Sequence, residues 1–401
     1  MARAAHLSFH PQQHRRPKTP ARGSHGENGA DASAAQEQAA PSAATRGVTA
    51  RGKGRGARSN ASGRYEKDQR EETDDGWDLD DALAPLRTEI TYENPRTIIN
   101  AVNSPYVGFE RSINPYRGCE HGCIYCFARP THAYMGLSPG LDFETKLFAK
   151  PSAPKLLEKE LSNKNYRPKV IAMGTNTDPY QPIERRLQIM RGILSVLSRF
   201  NHPVTILTKS QLITRDIDLL KPMAAKNLTR AMISITTRDK GLARSMEPRA
   251  SAPKWRFEAI RKLAEAGIET GIMTGPMIPG LNDDEMETIM EEAAEAGASF
   301  SAYTMLRLPL EVSPLFQEWL ECYAPNRARR VMRHIRDANG GEDYDPHWAR
   351  GREIKSPYAQ LLGKRNRAAR ARLGLESPRR PLDLTQFRVP ETVSGQMDLF
   401  G

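Results

Sequence analysis

Short apolar runs alternate with amphipathic stretches through the middle of this 401-residue chain, and the alternation limits the folds open to it. Between two of these runs, Leu187, Met190, Leu194 and Leu197 recur at helical spacing. Apolar strands separated by connections of helix length favour parallel βα units. The strand-like runs are 112–116, 170–173, 204–207, 231–235, 268–273 and 300–306. We therefore predict an α/β fold, a partial (β/α)6 barrel of the TIM type, because six units fit these runs better than eight.

The two ends of the chain differ in composition from its middle. Residues 1–85 are rich in Ala, Gly, Ser and Arg and hold few large aliphatic side chains. Such a segment cannot bury enough apolar surface to offset the entropy lost on ordering, so we predict a disordered tail. The predicted core spans 92–324, followed by a basic helical extension over 325–390 and a flexible tail over 391–401.

The formal net charge of +11 indicates a polyanionic partner, because clustered Lys and Arg release counterions from a phosphate backbone. Solvated basic ends are an equally good explanation of this charge. Much of the excess lies at the two ends of the chain. In the C-terminal extension the basic residues include Arg327, Arg329, Arg330, Arg333, Arg336, Lys364, Arg365, Arg367, Arg370 and Arg372.

Cysteine usage and the N-terminus bear on the compartment. Three of the four cysteines lie close together, which is unlike a secreted disulfide framework and indicates a reducing environment. No apolar run is long enough for a secretory signal or a membrane span. We predict a soluble, cytoplasmic protein without a membrane partner. An organellar transit peptide is the alternative for the Arg-rich start.

The clustered cysteines, Cys119, Cys123 and Cys126, form a C-x3-C-x2-C loop directly after a strand-like run. Three thiolates on one short loop suit an iron–sulfur cubane and leave one iron with an open position, where an amino acid can chelate. Tyr125 places an aromatic ring beside the third ligand. A zinc site with His121 as its fourth ligand is the alternative.

The sequence around this loop resembles a known signature. Residues 114–129, NPYRGCEHGCIYCFAR, are similar to the C-x3-C-x-aromatic-C motif of the radical S-adenosylmethionine (SAM) superfamily. Within it, the phrases GTNTDPYQPIE and TKS resemble a bacterial branch of the spore photoproduct lyase-like group, over residues 92–373. The resemblance implies a [4Fe-4S] cluster that passes one electron to SAM and yields a 5'-deoxyadenosyl radical. It also implies an electron donor such as flavodoxin or ferredoxin.

The same resemblance implies a set of SAM contacts at the ends of the predicted strands. Thr175, Asn176 and Asp178 stand where relatives hold the SAM amino group, although Gly-Thr-Asn replaces the usual Gly-Gly-Glu. The alternative is an ordinary Asp-Pro turn. Lys209, shortly after the strand-like run 204–207, is expected near the ribose or carboxylate of SAM. A solvated lysine beside a capping serine is the alternative.

Two further elements complete the predicted contacts. Ser234 and Thr236 share one face of a strand and, if that face lines the barrel, reach the ribose hydroxyls. Arg249 resembles the cation that pairs with the SAM carboxylate, and a surface salt bridge is its alternative. Cys322, the fourth cysteine, is predicted to be a buried, inert thiol rather than a hydrogen donor.

The last residues resemble the bacterial sliding-clamp binding motif, in which Gln precedes paired apolar side chains. Gln396, Met397, Leu399 and Phe400 match it. A disordered segment of this kind docks through a few side chains and needs no fold of its own. An apolar pair packed on the domain is the alternative.

These features lead to a first hypothesis of a lyase-like radical SAM enzyme acting on DNA or nucleotide lesions, and so in DNA repair. A second keeps the radical chemistry and makes the substrate a protein or a small metabolite. A third is a non-catalytic, zinc- or cluster-containing nucleic-acid binder.

Overall fold

The computed structural model describes residues 54–66, 86–102, 108–346, 356–376 and 380–391. The strands of this part of the chain are β1 (Glu89–Tyr92), β2 (Asn100–Ala101), β3 (Arg111–Ile113), β4 (Tyr116–Arg117), β5 (Lys146–Ala149), β6 (Ile171–Met173), β7 (Val204–Thr208), β8 (Thr229–Ile235), β9 (Glu269–Met277) and β10 (Phe300–Met305). Its α-helices are α1 (Asp142–Thr145), α2 (Ala153–Leu161), α3 (Glu184–Leu187), α4 (Ile189–Arg199), α5 (Ile217–Ala225), α6 (Lys240–Met246), α7 (Pro253–Glu265), α8 (Met286–Glu295), α9 (Val312–Tyr323), α10 (Pro325–Ala338) and α11 (Pro357–Leu373).

A seven-stranded sheet forms the centre of the described structure, in the order β10-β9-β8-β7-β6-β3-β2. The strands from β3 to β10 in this sheet run parallel in chain order, and β2 pairs antiparallel with β3 at the edge. Helices connect the parallel strands, because parallel neighbours need a long crossover connection. The α/β class is confirmed, and the sheet is mixed.

The predicted long strands are confirmed, whereas the short candidate 112–116 divides in two. Strand β3 ends at Ile113, and β4 begins at Tyr116 in a separate three-stranded sheet with β1 and β5. Pro115 lies between them and has no N–H to donate to a ladder. The chain therefore leaves the central sheet just before the cysteine loop.

The core packs the sheet against the crossover helices. Ile206 and Ile233 of the sheet are buried, and so are Leu194 of α4 and Ile260 of α7. Each such side chain contributes roughly 1.5–3 kcal/mol on burial. Helix α4 begins at Ile189 because Gln188 has a φ of 49°, so the predicted apolar repeat is split between α3 and α4.

Residues 54–66 lie inside the segment predicted to be disordered, and they are ordered against the core. Ala57 is 1% exposed, and the backbone N–H groups of Gly56 and Ala57 donate to the Glu144 carboxylate. The prediction of disorder is wrong here, because the segment docks through backbone hydrogen bonds and not through the apolar side chains that composition measures. Residues 1–53 and 67–85 lie outside the described residues.

The C-terminal part contributes the two basic helices α10 and α11, and α11 packs on α8. Residues 392–401, with the predicted clamp motif, lie outside the described residues. Within the described ranges, no helix combines the length and apolar character needed to cross a membrane.

Candidate functional site

The cysteine loop follows β4 and depends on two glycines. Gly118 and Gly122 have φ values of 74° and 67°, a conformation that other residues rarely adopt. A Cβ on Gly118 would also lie 2.7 Å from Leu147 Cδ2. The loop therefore turns tightly, and the side chains of Cys119, Cys123 and Cys126 line one cavity of about 290 Å³.

The cavity lies where the parallel strands end. Its wall comes from residues near the carboxyl ends of β7, β8, β9 and β10 and from the segments that follow β6, β7 and β10, which is where α/β folds place their ligands. Most of the predicted contacts are brought together here. Those that line the cavity are Tyr125, Thr175, Asn176, Asp178, Lys209 and Ser234.

A buried ion pair supports the back of the loop. Arg129 and Glu144 are both fully buried, with Nη2 2.5 Å from Oε1. Arg129 also donates to the carbonyl oxygens of Cys123 and Gly122, at 2.9 and 3.2 Å. Since Arg129 binds two loop carbonyls at once, it holds the loop backbone at Gly122 and Cys123 in place.

Residues 54–66 close the outer side of the same loop. A Cβ on Gly56 would lie 1.7 Å from the carbonyl oxygen of Gly122, so the two backbones are in direct contact. Glu144 accepts from Gly56 and Ala57 on one side and from Arg129 on the other. The carboxylate therefore joins the N-terminal segment to the cysteine loop.

Burial raises the pKa of all three loop thiols, Cys119, Cys123 and Cys126. They are therefore neutral in the protein alone, and a metal bound there would have to displace their protons. Within the described part of the chain, no group of three or more His, Cys, Asp and Glu side chains is arranged to hold a single metal ion.

Asp178 lies beside the loop with both of its oxygens bound by the protein. Its Oδ1 accepts from Thr208 Oγ1 at 2.7 Å, and its Oδ2 accepts from the Lys209 backbone at 2.8 Å. His121 Nδ1 is 3.3 Å from Oδ2. Burial alone would raise the pKa of Asp178, but His121 and these hydrogen bonds outweigh it and lower the pKa. Asp178 thus ties the ends of β6 and β7 to the cysteine loop.

The Gly-Thr-Asn segment is positioned by Asn114, a residue that the sequence argument missed. Asn114 Oδ1 accepts from Thr175 Oγ1 and from the Asn176 backbone, each at 3.2 Å. Gly174 has a φ of 86°, and a Cβ there would lie 2.0 Å from the Leu207 carbonyl oxygen. The glycine lets this segment cross close to β7 and present Thr175 and Asn176 to the cavity.

Lys209 is bound within the cavity wall and is not a solvated lysine. Its Nζ donates to Ser234 Oγ at 2.7 Å and to Thr236 Oγ1 at 3.3 Å. The same ammonium lies 5.5 Å from the centroid of the Tyr125 ring. The predicted shared face of Ser234 and Thr236 is confirmed, because both hydroxyls meet one ammonium.

Glu247 and Arg256 complete this network, and the sequence argument assigned a role to neither. Glu247 Oε2 accepts from Tyr125 at 2.9 Å and lies 3.4 Å from Lys209 Nζ, while Arg256 Nη1 is 3.1 Å from Oε1. Burial would raise the pKa of Glu247, but Arg256 and Lys209 lower it to about 2. Arg256 is 1% exposed on α7, and an arginine on the apolar face of that helix was the available signal.

Two predicted contacts, Arg249 and Thr236, do not line this cavity, and Thr236 reaches it through its hydrogen bond from Lys209. Arg249 is directed elsewhere. Its Nη2 lies 3.1 Å from Glu120 Oε1, and its side chain is 34% exposed. The salt bridge weighed as an alternative is therefore present. The cations that do line the cavity are Lys209 and Arg307, and Arg307 stacks over Phe127 with its Cζ 5.4 Å from the ring centroid.

Cys322 requires a correction. It was predicted to be buried, but it is exposed on α9. The buried residues of this helix include Phe316, Trp319 and Leu320, so position 322 falls on the opposite face.

A family model and several relatives match this chain. The model of the radical SAM superfamily matches residues 113–293. An uncharacterised protein of Mycobacterium tuberculosis is 31% identical over 303 residues, which cover 74% of this chain and 85% of that protein. A second, from Methanocaldococcus jannaschii, is 29% identical over 199 residues, covering 50% and 71%.

Among solved structures, a variant of spore photoproduct lyase aligns with a TM-score of 0.49 and 16% identity, covering 72% of this chain and 81% of that one. A radical SAM methyltransferase of Kitasatospora setae, with cobalamin and a [4Fe-4S] cluster bound, aligns with a TM-score of 0.35 and 15% identity, covering 49% and 37%.

Proposed function

We propose that this chain, which belongs to the radical SAM superfamily and so is an enzyme that uses a [4Fe-4S] cluster and SAM, acts as a lyase-like enzyme on DNA or nucleotide lesions. The observation that carries the choice of substrate is the exposed arginine surface of α10. Because the chain belongs to this superfamily, we set aside the two hypotheses of a zinc site and of a non-catalytic nucleic-acid binder.

We regard the central sheet as a partial (β/α)6 barrel of the TIM type. Its parallel strands follow one another in chain order with helical crossovers, and the cavity lies at their carboxyl ends. Both features are those of a barrel that is open on one side.

Cys119, Cys123 and Cys126 would hold the cluster. The donor set fits, because three thiols on one loop line one cavity and supply three of the four ligands that a cubane takes. When bound, the cluster supplies the single electron that splits the SAM sulfonium. Arg129 and Glu144 keep the loop backbone fixed behind these cysteines.

The polar wall of the cavity would orient SAM. Thr175 and Asn176 offer hydroxyl and amide groups to its amino acid portion, and Ser234 offers a hydroxyl to the ribose. Lys209 supplies a positive charge within the cavity, whereas Arg249 is turned towards Glu120. Tyr125 and Glu247 hold the Lys209 ammonium in position and so keep its charge directed at the cavity.

Helix α10 supports a nucleic-acid substrate. Arg327, Arg329, Arg330 and Arg333 are exposed, and none forms an ion pair within the described residues. A row of unpaired guanidinium groups on one helix suits phosphate contacts, which position a duplex without reading its sequence. The helix packs on α9 and α11, so these charges are carried by a fixed element.

The partners proposed with this function are an electron donor such as flavodoxin or ferredoxin, DNA, and the bacterial sliding clamp through residues 396–400. A cytoplasmic location, where thiols stay reduced, is part of the same proposal.

Anaerobic reconstitution tests the cluster assignment. The wild-type protein should take up iron and sulfide, turn brown and cleave SAM on reduction. Changing Cys119, Cys123 or Cys126 to Ala should abolish all three properties, while the matched variant Cys322→Ala should retain them. A colourless wild-type protein loaded with zinc would reject the assignment.

Damaged DNA tests the substrate. Reduced, SAM-loaded enzyme should remove at least one class of adduct from irradiated or alkylated DNA, as followed by mass spectrometry of the digested nucleosides. The enzyme could instead cleave SAM, leave every DNA adduct unchanged and convert a protein or a metabolite. That result would favour the second hypothesis, in which the substrate is a protein or a small metabolite.

A further inference from the structure

A second cleft, of about 420 Å³, lies beside the cysteine loop. Its wall includes His121, Arg185, Arg249, Ser210 and Gln211. His121 also lines the cavity that holds the three thiols. One imidazole ring, two residues from Cys119 and two from Cys123, is therefore shared by the cleft and the cavity.

Two other sides of the loop are covered by the protein itself. On its outer side, residues 54–66 lie in backbone contact with Gly122, and the Arg129–Glu144 pair behind them is fully buried. The main cavity is the place proposed for SAM. The cleft at His121 is a second described surface beside the loop, separate from both covered sides.

The arginine side chains that line this cleft are not accompanied by acidic residues in the lining. Arg185 is exposed and forms no ion pair within the described ranges, and Arg249 is 34% exposed beside Glu120, which is itself nearly buried. No Asp or Glu is among the residues that line the cleft.

Two other surface clefts differ in this respect. One, of about 830 Å³, combines Arg238 and Arg327 with Asp239, Asp284 and Glu285. The other, of about 660 Å³, combines its basic residues with Glu258, Glu292 and Glu295. The cleft at His121 is therefore distinguished by positive charge without acidic residues in its lining, which favours an acidic partner.

We propose that a small, acidic one-electron carrier protein docks over the cleft lined by His121, Arg185 and Arg249 and delivers its electron to the cysteine loop from that side. The carrier loses one electron and the cluster gains it, with no bond formed or broken. The inference rests on the cluster placement proposed above, and it adds where on this chain the reductant binds.

Stopped-flow reduction of the anaerobic holoenzyme tests the proposal. The probe is reduced flavodoxin, an acidic flavin protein, and the readout is bleaching of the cluster absorbance without SAM or DNA. Arg185→Glu should slow reduction about tenfold at low ionic strength, and the difference should shrink as salt screens the charges. Sodium dithionite, which needs no docking surface, should reduce the variant and the wild type at equal rates.

Arg167→Glu is the matched control, since it makes the same change of charge on another exposed arginine, which lies just before β6 and has no role in the proposed site. It should leave the flavodoxin rate unchanged. The proposal is overturned if Arg185→Glu is reduced by flavodoxin at the wild-type rate in low salt, or if dithionite and flavodoxin are slowed equally. A wild-type protein that takes up no iron would instead overturn the proposed function, whereas failure on DNA leaves this inference untouched.

Discussion

Arginines serve opposite purposes in two regions of this molecule. Around the cysteine loop, Arg129 and Arg256 are buried, and each is bound to a buried carboxylate. On α10, Arg329 and Arg333 are exposed and have no ion pair within the described residues. A charge taken out of water must be neutralised inside the protein, whereas an exposed charge costs little and stays available to a partner. The two buried arginines therefore stabilise the site, and the two exposed arginines form a surface that a partner can bind.

Breaking a buried pair should have the largest effect. Arg129→Met leaves Glu144 buried without its partner, so the free energy of unfolding of the apo-protein should fall by about 3–5 kcal/mol in chemical denaturation. Arg199→Met, at an exposed pair with Glu158, is the control and should cost less than about 1 kcal/mol. Equal losses for the two variants would remove the distinction between the regions.

His202 is a buried titratable group without a counter-charge, so it tests the comparison through the pH dependence of stability. His202 Nε2 accepts from Tyr166 and Nδ1 donates to the Pro203 carbonyl, so the buried ring is neutral, and burial lowers its pKa to about 4. The unfolded chain takes up a proton first, so stability is complete above about pH 6.5 and falls as pH drops towards 4.

His202→Gln should therefore reduce the pH dependence of unfolding. By pH 5, the loss relative to pH 7 should be smaller in the variant by about 2 kcal/mol, as measured by denaturation at the two pH values. The similarly buried His132 is unchanged and supplies the remaining slope, since its pKa is also lowered to about 4. An identical pH profile in the two proteins would contradict the neutral burial of His202.

Helix α11 carries an ion pair whose exposure is intermediate between those of the two regions. Arg365 pairs with Glu287 of α8 at 2.5 Å, and both side chains are a little under one third exposed. Arg365→Ala should lower the free energy of unfolding by about 0.5–1 kcal/mol in denaturant titrations. DNA affinity should not change, because this charge is already used within the protein. A large loss of DNA binding would mean that α11, like α10, belongs to the DNA-binding surface.

The smallest effect on stability is expected from α10. Arg329→Ala combined with Arg333→Ala should change the free energy of unfolding by less than about 0.5 kcal/mol. DNA binding should weaken, and the slope of log affinity against log salt should fall by about 2, as measured by fluorescence anisotropy. An unchanged slope would mean that these arginines contact no phosphates.

The local patterns of the sequence were sufficient for the α/β class, the long strands, the cysteine loop and the basic helices. Apolar runs at 204–207 and 231–235 become β7 and β8 because strands inside a parallel sheet are largely covered on both faces. The spacing of Cys119, Cys123 and Cys126 likewise places three thiols on one loop in any fold that orders it.

Only the tertiary structure decided which charges meet. Glu144 binds Gly56, 88 residues earlier, and this contact orders a segment that composition marks as disordered. Glu247 reaches Tyr125, 122 residues away, while Arg249, two positions further on, turns to Glu120. Spacing along the chain carries no record of such pairs, because the crossovers of the sheet set which strand ends become neighbours and burial then demands a partner for each charge.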